Sequence, residues 1–456
     1  MREAVTGRRI VVVGAARSGI AAAQLLASRG ADVTLADLRV DLPEAGRLSE
    51  QGIRVELGPH QAKTFERAEL IVLSPGVPLR QHALDRARRA RVPIVGEVEL
   101  ASRLLQGRII AITGTKGKST TTTLVGRILE AAGLRVAVAG NIGAPLSAEV
   151  ERSTPETIHV VEVSSFQLET TSTFHPWIAV LLNLSADHLD RHANLHEYAA
   201  AKARIFASQG EGDWVVVNAD DPPAMTLAGK HARAPRRLFS LDKPLDEGTV
   251  LADNWLVERH GGEQLPLLPV EEVRLIGRHL LADVAAAATV ARLAGAEAAA
   301  VRSATGAFTG LEHALEPVMV VAGIRFVNDS KATNVESARR AIESFEERLV
   351  PIIGGRFKGG DLRDLRAALT GRSTAVIAIG EAKPAVRQAL GDLLAVVEAS
   401  SMAEAVRAGL AAAPPGGTVL LAPACASFDM FHDSAERGRV FKQEVAKLAE
   451  ELGGGS

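Results

Sequence analysis

Cysteine is almost missing from this sequence. The single Cys425 excludes an intramolecular disulfide framework and a cysteine-only zinc cluster. A dominant charge is also missing. Lys and Arg number 52 and Asp and Glu 54, so the formal net charge is −2, with both signs mixed along the chain. That pattern lacks the footprint of a nucleic-acid binder and of a polybasic membrane anchor, so neither nucleic acid nor membrane is expected as a partner. No apolar run approaches the ~20 residues of a spanning helix. The opening MREAVTGRRIVVVGAARSG puts glycine and arginine where a signal peptide needs its apolar region and cleavage site. Together these absences predict a cytoplasmic protein. The terminal GGGS reads as a flexible end and is set aside from fold reasoning.

What is present reads as alternating strands and helices. The chain of 456 residues is long enough for about three domains of ~150 residues. Strands are expected at Arg9–Val13, Val33–Asp37, Leu70–Leu73, Ile109–Thr113, His159–Val163, Ile178–Asn183 and Trp214–Asn218. Later ones are expected at Ile324–Asn328, Val350–Gly354, Ala375–Ile379 and Val419–Ala422. Helical patterns such as the Ala-rich Ile20–Ser28 separate many of them, which predicts an α/β fold of parallel βαβ units. Ligands should then lie at strand carboxyl ends. Boundaries are expected near Pro93–Gly96 and near Thr309–His313, giving domains over 1–95, 96–310 and 311–456.

The run Ile110 to Thr120, IAITGTKGKST, carries the most chemistry. An apolar strand feeds a glycine-broken turn, and Lys118 and Ser119 open a helix. Such a turn points backbone N–H groups at an anion, with a lysine for phosphate and a hydroxyl for Mg²⁺. The spacing is shorter than G-x-x-x-x-G-K-[ST], because Ile112 stands five before Gly117 and the first loop glycine is Gly114. The loop is thus Gly114, Thr115, Lys116, Gly117, Lys118, Ser119 and Thr120.

A second glycine-rich turn, Gly14-Ala-Ala-Arg-Ser-Gly19, nearly matches a dinucleotide fingerprint but has Ala16 at the second glycine. Asp37 ends the next strand, where a ribose-binding acid belongs. The turn could serve NAD, another nucleotide or nothing. In the middle segment Glu162 sits at a strand end, His188 in a polar loop with Asp190 and His192, and Lys202 on a helix. Glu162 and the Ser119 hydroxyl are suitable oxygen ligands for Mg²⁺. Read alone, Glu162 could equally cap a helix, His188 be a satisfied loop histidine, and Lys202 a solvated lysine.

Several segments occur in one order: LSPGVP (Leu73–Pro78), GTKGKST, GNIG (Gly140–Gly143), EVSSFQLE (Glu162–Glu169), DHLDRH (Asp187–His192), NDSKATN (Asn328–Asn334), GGRFKGGD (Gly354–Asp361) and PACASFD (Pro423–Asp429). In these the chain resembles the Mur ligase family over essentially its whole length. EVSSFQLE with NDSKATN most resembles its D-glutamate-adding branch. The resemblance implies three domains: an N-terminal Rossmann-like domain for UDP, a central P-loop ATPase-like parallel sheet, and a C-terminal Rossmann-like domain that brings the amino acid. It implies a monomer that joins D-glutamate to UDP-N-acetylmuramoyl-L-alanine through an acyl phosphate made from ATP, in cytoplasmic peptidoglycan precursor synthesis.

The same resemblance implies roles residue by residue. Lys118 grips the β- and γ-phosphates. Ser119 and Glu162 would hold one Mg²⁺, and His188 would help to hold a second. Lys202 matches a lysine that the family carbamylates into an anionic metal-linked group. Asn141 lies near the transferring phosphate. Asp37, Leu38, Ser74 and Gly76 fall at the uridine and diphosphate site. Asp329 and Lys331 belong to the nucleotide, and Thr333, Lys358 and Ser427 to the glutamate carboxylates. Departures stand at His279-Leu-Leu-Ala-Asp283, where the family often has H-N-x-x-N, at Ala314 in place of arginine, at Ser434 in place of an aromatic, and at Lys116 in place of asparagine. Another amino-acid-adding ligase of the family and a non-catalytic nucleotide-binding regulator are the competing readings.

Overall fold

The computed structural model describes residues 5–79, 81–185, 192 and 194–453. Runs of Val, Ile, Leu and Ala build its first sheet. Strands β1 (Arg9–Val13), β2 (Asp32–Asp37), β3 (Arg54–Leu57), β4 (Leu70–Leu73) and β5 (Ile94–Gly96) run parallel in the order 3-2-1-4-5. Ile10 to Val13 and Leu70 to Leu73 are all buried, as parallel strands covered on both faces must be. The helix Arg17–Ser28 turns Ala22, Ala23, Leu25 and Leu26 inward. The order reverses between β1 and β4, and the crevice at their carboxyl ends is where such sheets take ligands.

The second sheet contains β6 (Arg108–Thr113), β7 (Val136–Gly140), β8 (Ile158–Glu162), β9 (Ile178–Leu181), β10 (Trp214–Asn218), β11 (Arg236–Ser240), β12 (Gly248–Ala252), β13 (Trp255–His260) and β14 (Glu263–Pro269). Its order is 14-13-12-11-10-9-6-8-7. From β7 to β12 neighbours are parallel, but β13 and β14 return antiparallel as hairpins. The parallel central sheet expected from the sequence carries an antiparallel extension. Its two turns, Asp253–Asn254 and Gly261–Gly262, have φ of +47°, +62°, +60° and +84°. Two successive positive φ values suit the twist of a tight hairpin, and Asp, Asn and Gly are the residues that adopt them.

The third sheet contains β15 (Glu316–Val321), β16 (Ile324–Asn328), β17 (Leu349–Gly354), β18 (Ala375–Ile379), β19 (Ala395–Glu398) and β20 (Thr418–Leu421), in the order 15-16-20-17-18-19. Only the β15–β16 pair is antiparallel among these. The first two sheets lie in one compact unit, residues 1–272 and 282–305, and the third lies in another, residues 273–281 and 306–456. Within the first unit, helices Arg17–Ser28 and Glu97–Ser102 pack on Leu146–Glu149. Leu25, Val98 and Leu146 share one core there. No described helix is long and apolar enough to cross a membrane.

Candidate active site

β6 lies between β9 and β8, so three strand ends converge on the loop after Thr113. Asn183, just beyond β9, shapes that loop. Its side-chain oxygen accepts from the N–H groups of Thr115 (3.0 Å) and Lys116 (2.9 Å), and its amide donates to the Lys116 carbonyl (3.0 Å). Gly117 then turns at φ +85° to start the helix Lys118–Ala131. A Cβ there would lie 2.1 Å from an Asp283 carboxylate oxygen, so only glycine fits.

Two ammonium groups converge on the loop carbonyls. Lys118 Nζ donates to Gly114 O (3.0 Å) and Thr115 O (2.9 Å). Lys202 Nζ, on the helix Leu195–Ala203, donates to Gly114 O (2.8 Å) and Thr113 Oγ1 (3.2 Å). Lys202 is 1% exposed, which removes the solvated-lysine reading, and its ammonium lies 4.7 Å from the Tyr198 ring centre. The Tyr198 hydroxyl reaches Thr115 Oγ1 at 3.3 Å. Thr120 faces inward from the helix and is buried.

Glu162 ends β8, is 2% exposed, and faces the helix start. One oxygen accepts from Ser119 Oγ (2.6 Å) and the other from Asn141 Nδ2 (2.7 Å). Asn141 is fixed in turn, because its N–H donates to the Glu162 carbonyl (2.9 Å). Glu162 thus does not cap a helix. Both of its described side-chain partners are neutral, and a buried carboxylate is costly to hold without a cation. Carboxylate and hydroxyl oxygens so placed fit Mg²⁺, which keeps several waters and takes few protein ligands. His188 lies outside the described residues. His192 is buried between Phe166 and Tyr198, with Nε2 3.0 Å from Ser165 Oγ, so it anchors packing.

At the reversal point of the first sheet, Gly14 meets Ser74. A Cβ on Gly14 would lie 2.9 Å from Ser74 Cβ, and its φ is +93°. Ser74 is buried, Leu38 is 64% exposed, and Gly76 sits in the turn after Ser74. Asp37 is held inside the glycine-rich turn. Its carboxylate accepts from the Ala15 N–H (2.5 Å), the Arg39 N–H (2.9 Å) and Arg39 Nε (3.1 Å). Burial alone would raise its pKa, but these bonds outweigh it and lower the pKa below 3.8.

In the second unit, backbone bonds tie together the loops that carry the expected glutamate residues. Ala424 N–H donates to Ala332 O (2.9 Å), while Arg356 and Ala426 exchange a pair of bonds (2.9 and 3.0 Å). Thr333, Lys358 and Ser427 therefore stand on adjoining strand-end loops. Ser427 is buried, whereas Lys358 is exposed, with its ammonium 5.7 Å from the Phe428 ring centre. Asp329 accepts from the Leu315 N–H (3.1 Å) and burial pushes its pKa up to about 7, against the pull of Lys331.

Sequence reasoning missed Arg437, which is 1% exposed. It donates to Ser330 Oγ (2.9 Å), Ser330 O (2.9 Å) and Cys425 O (3.1 Å), clamping the NDSKATN and PACASFD loops, and burial lowers its pKa to about 10. Beside it the Cys425 thiol is fully buried and pushed up to about 12 by that burial.

Three family models match the chain: the N-terminal domain of MurD-like Mur ligases over residues 8–96, the Mur ligase middle domain over 112–291, and the Mur ligase glutamate ligase domain over 315–425. A UDP-N-acetylmuramoylalanine--D-glutamate ligase of Acidobacterium capsulatum is 46% identical, with 96% of each chain covered. That of Koribacter versatilis is 41% identical, covering 98% of this chain and 99% of its own. Among solved structures, the UDP-N-acetylmuramate-alanine ligase MurC of Thermotoga maritima shares the fold at a TM-score of 0.60 and 20% identity, over 96% of this chain and 99% of its own. With every sheet accounted for by these matches, the chain belongs to the Mur ligase family.

Proposed function

We propose that this chain is an ATP-dependent amide ligase that adds D-glutamate to UDP-N-acetylmuramoyl-L-alanine. The observation that carries the reading is Glu162, buried at a phosphate-type loop and gripped from both sides by Ser119 and Asn141. The full-length likeness to D-glutamate ligases supports the choice of substrates. In this reading residues 1–95 bind the UDP moiety, 96–310 bind ATP, and 311–456 bring the amino acid. The protein works as a cytoplasmic monomer.

Lys118 leaves the Gly114 and Thr115 carbonyls to neutralise the β- and γ-phosphates of ATP. Ser119 and Glu162 would hold one Mg²⁺, and His188 would help to hold a second. Lys202, as a carbamate, gives the metal side an anionic oxygen that an ammonium lacks. Bound Mg²⁺ supplies charge neutralisation to the phosphates. The substrate carboxylate attacks the γ-phosphorus, and ADP leaves. The glutamate amine then attacks the acyl phosphate, and the tetrahedral adduct expels phosphate. Asn141 positions the group in transfer, which is where such enzymes do most of their work. Thr333, Lys358 and Ser427 hold the two glutamate carboxylates, and Asp329 and Lys331 serve the nucleotide. Asp37, Leu38, Ser74 and Gly76 frame the UDP site.

Phosphate release measured with UDP-N-acetylmuramoyl-L-alanine, ATP and one amino acid at a time tests the reading. D-glutamate should give turnover far above L-glutamate, L-alanine or meso-diaminopimelate. Preference for either of the last two overturns the assignment. Preference for L-glutamate overturns only the stereochemistry.

A further inference from the structure

A diphosphate delivers about two negative charges to its site, and recognition of that charge usually falls to arginine. This inference rests on the UDP-linked substrate proposed above and asks which side chain receives its diphosphate. Near the crevice between β1 and β4 the obvious cation, Arg39, is already committed. Its guanidinium pairs with Asp37 at 3.1 Å and donates to the Ala15 carbonyl at 2.7 Å. Arg8, Arg9 and Arg54 stand at the opposite, amino-terminal ends of their strands, and Arg54 pairs with Asp32 at 3.9 Å. Ser74 and Leu38 carry no charge.

Arg17 is different. It is exposed and opens the helix that follows the glycine-rich turn. Its guanidinium donates to the carbonyl of Gly143, and no described carboxylate pairs with it. A neutral carbonyl engages one of five donors and leaves the charge uncompensated. The same helix is fastened again at its far end, where Arg29 pairs with Glu151 at 3.0 Å. Arg17 is thus presented from a fixed element, between the Gly14–Gly19 turn and the Gly140–Gly143 turn. The latter carries Asn141, whose amide grips Glu162 at 2.7 Å.

We propose that Arg17 is the cation that receives the substrate diphosphate. By holding the diphosphate and the Gly143 carbonyl together, it also registers the sugar nucleotide against the turn that bears Asn141. Arg17 is a binding and positioning residue, since it reaches the diphosphate and not the reacting carboxylate.

Calorimetric titration of the full chain with UDP and with uridine tests this, using wild type, Arg17→Gln and Arg17→Lys. Loss of a charge-assisted contact should weaken UDP about 10- to 100-fold in Arg17→Gln. Uridine, which has no phosphate, should bind within about twofold of wild type. Arg17→Lys should recover part of the UDP affinity, and the wild-type advantage should shrink as salt is raised. Equal UDP binding by Arg17→Gln and wild type overturns the inference, as does an equal loss for uridine and UDP. A wild-type protein that binds neither ligand overturns the UDP reading itself, a result distinct from both.

Discussion

Two strand-to-helix turns of this chain share a shape and are furnished with opposite charges. In the turn from Gly14 to Gly19, the Ala15 N–H already has an anion, the Asp37 carboxylate at 2.5 Å. In the turn from Gly114 to Gly117, the Thr115 and Lys116 N–H groups donate to the neutral Asn183 amide oxygen, and two lysines crowd the carbonyls. The first turn holds an internal carboxylate on its Ala15 N–H. The second holds the Lys118 ammonium on the Gly114 and Thr115 carbonyls, from which a phosphate can draw it. A glycine pattern alone therefore says little about what a turn binds. The side chains that reach into it from other strands decide.

The largest break in this contrast comes from the second turn. Lys118→Ala should lower phosphate release at saturating ATP by about 10³-fold or more while leaving the thermal midpoint nearly unchanged, because the lysine serves charge and not packing. Near-normal turnover would refute its role. Gly117→Ala should follow. A Cβ there strains a φ of +85° and meets the Asp283 carboxylate, and together these should destabilise by about 2–4 kcal/mol in denaturant titration.

Asp37→Asn sharpens the first turn. It should raise the KM for the UDP substrate about tenfold and leave that for ATP unchanged, since the pair with Arg39 and the Ala15 contact both weaken. Its pH signature has a fixed sign. Asp37 has a native pKa below 3.8, so its stabilisation is full above the unfolded pKa and disappears as pH falls through the native one. The stability gap between wild type and Asp37→Asn should therefore close on acidification below about pH 4, and a gap that widens would contradict the geometry. The smallest effect belongs to Ala16→Gly. Ala16 is exposed with φ −77°, a conformation open to any residue, so UDP-substrate kinetics should stay within about twofold.

Much of this was legible in sequence because parallel strands buried on both faces read as short apolar runs, as at Val11–Val13 and Ile110–Ile112. The hairpin strands β13 and β14 were not read, since Glu263 to Pro266 are exposed and polar residues interrupt the pattern. Their Asp253–Asn254 and Gly261–Gly262 turns were the available signal. Ser119 and Glu162 were legible as candidate ligands, but their 2.6 Å bond depends on β6 and β8 being neighbours. Asn183 was unreadable as the residue that shapes the phosphate loop, because its partners lie 67 and 68 positions away. Arg437 was hidden for another reason: an arginine on a terminal helix is ordinarily solvated, and nothing local reveals a buried clamp.

Cys425 makes the second unit a reporter on itself. The chain's sole thiol is fully buried in the PACASFD loop, beside NDSKATN, and raised to about 12. An alkylating reagent needs a thiolate, so modification has to wait until this region opens. The labelling rate at one atom then times the opening of these loops, and ligands that hold them together would slow the clock.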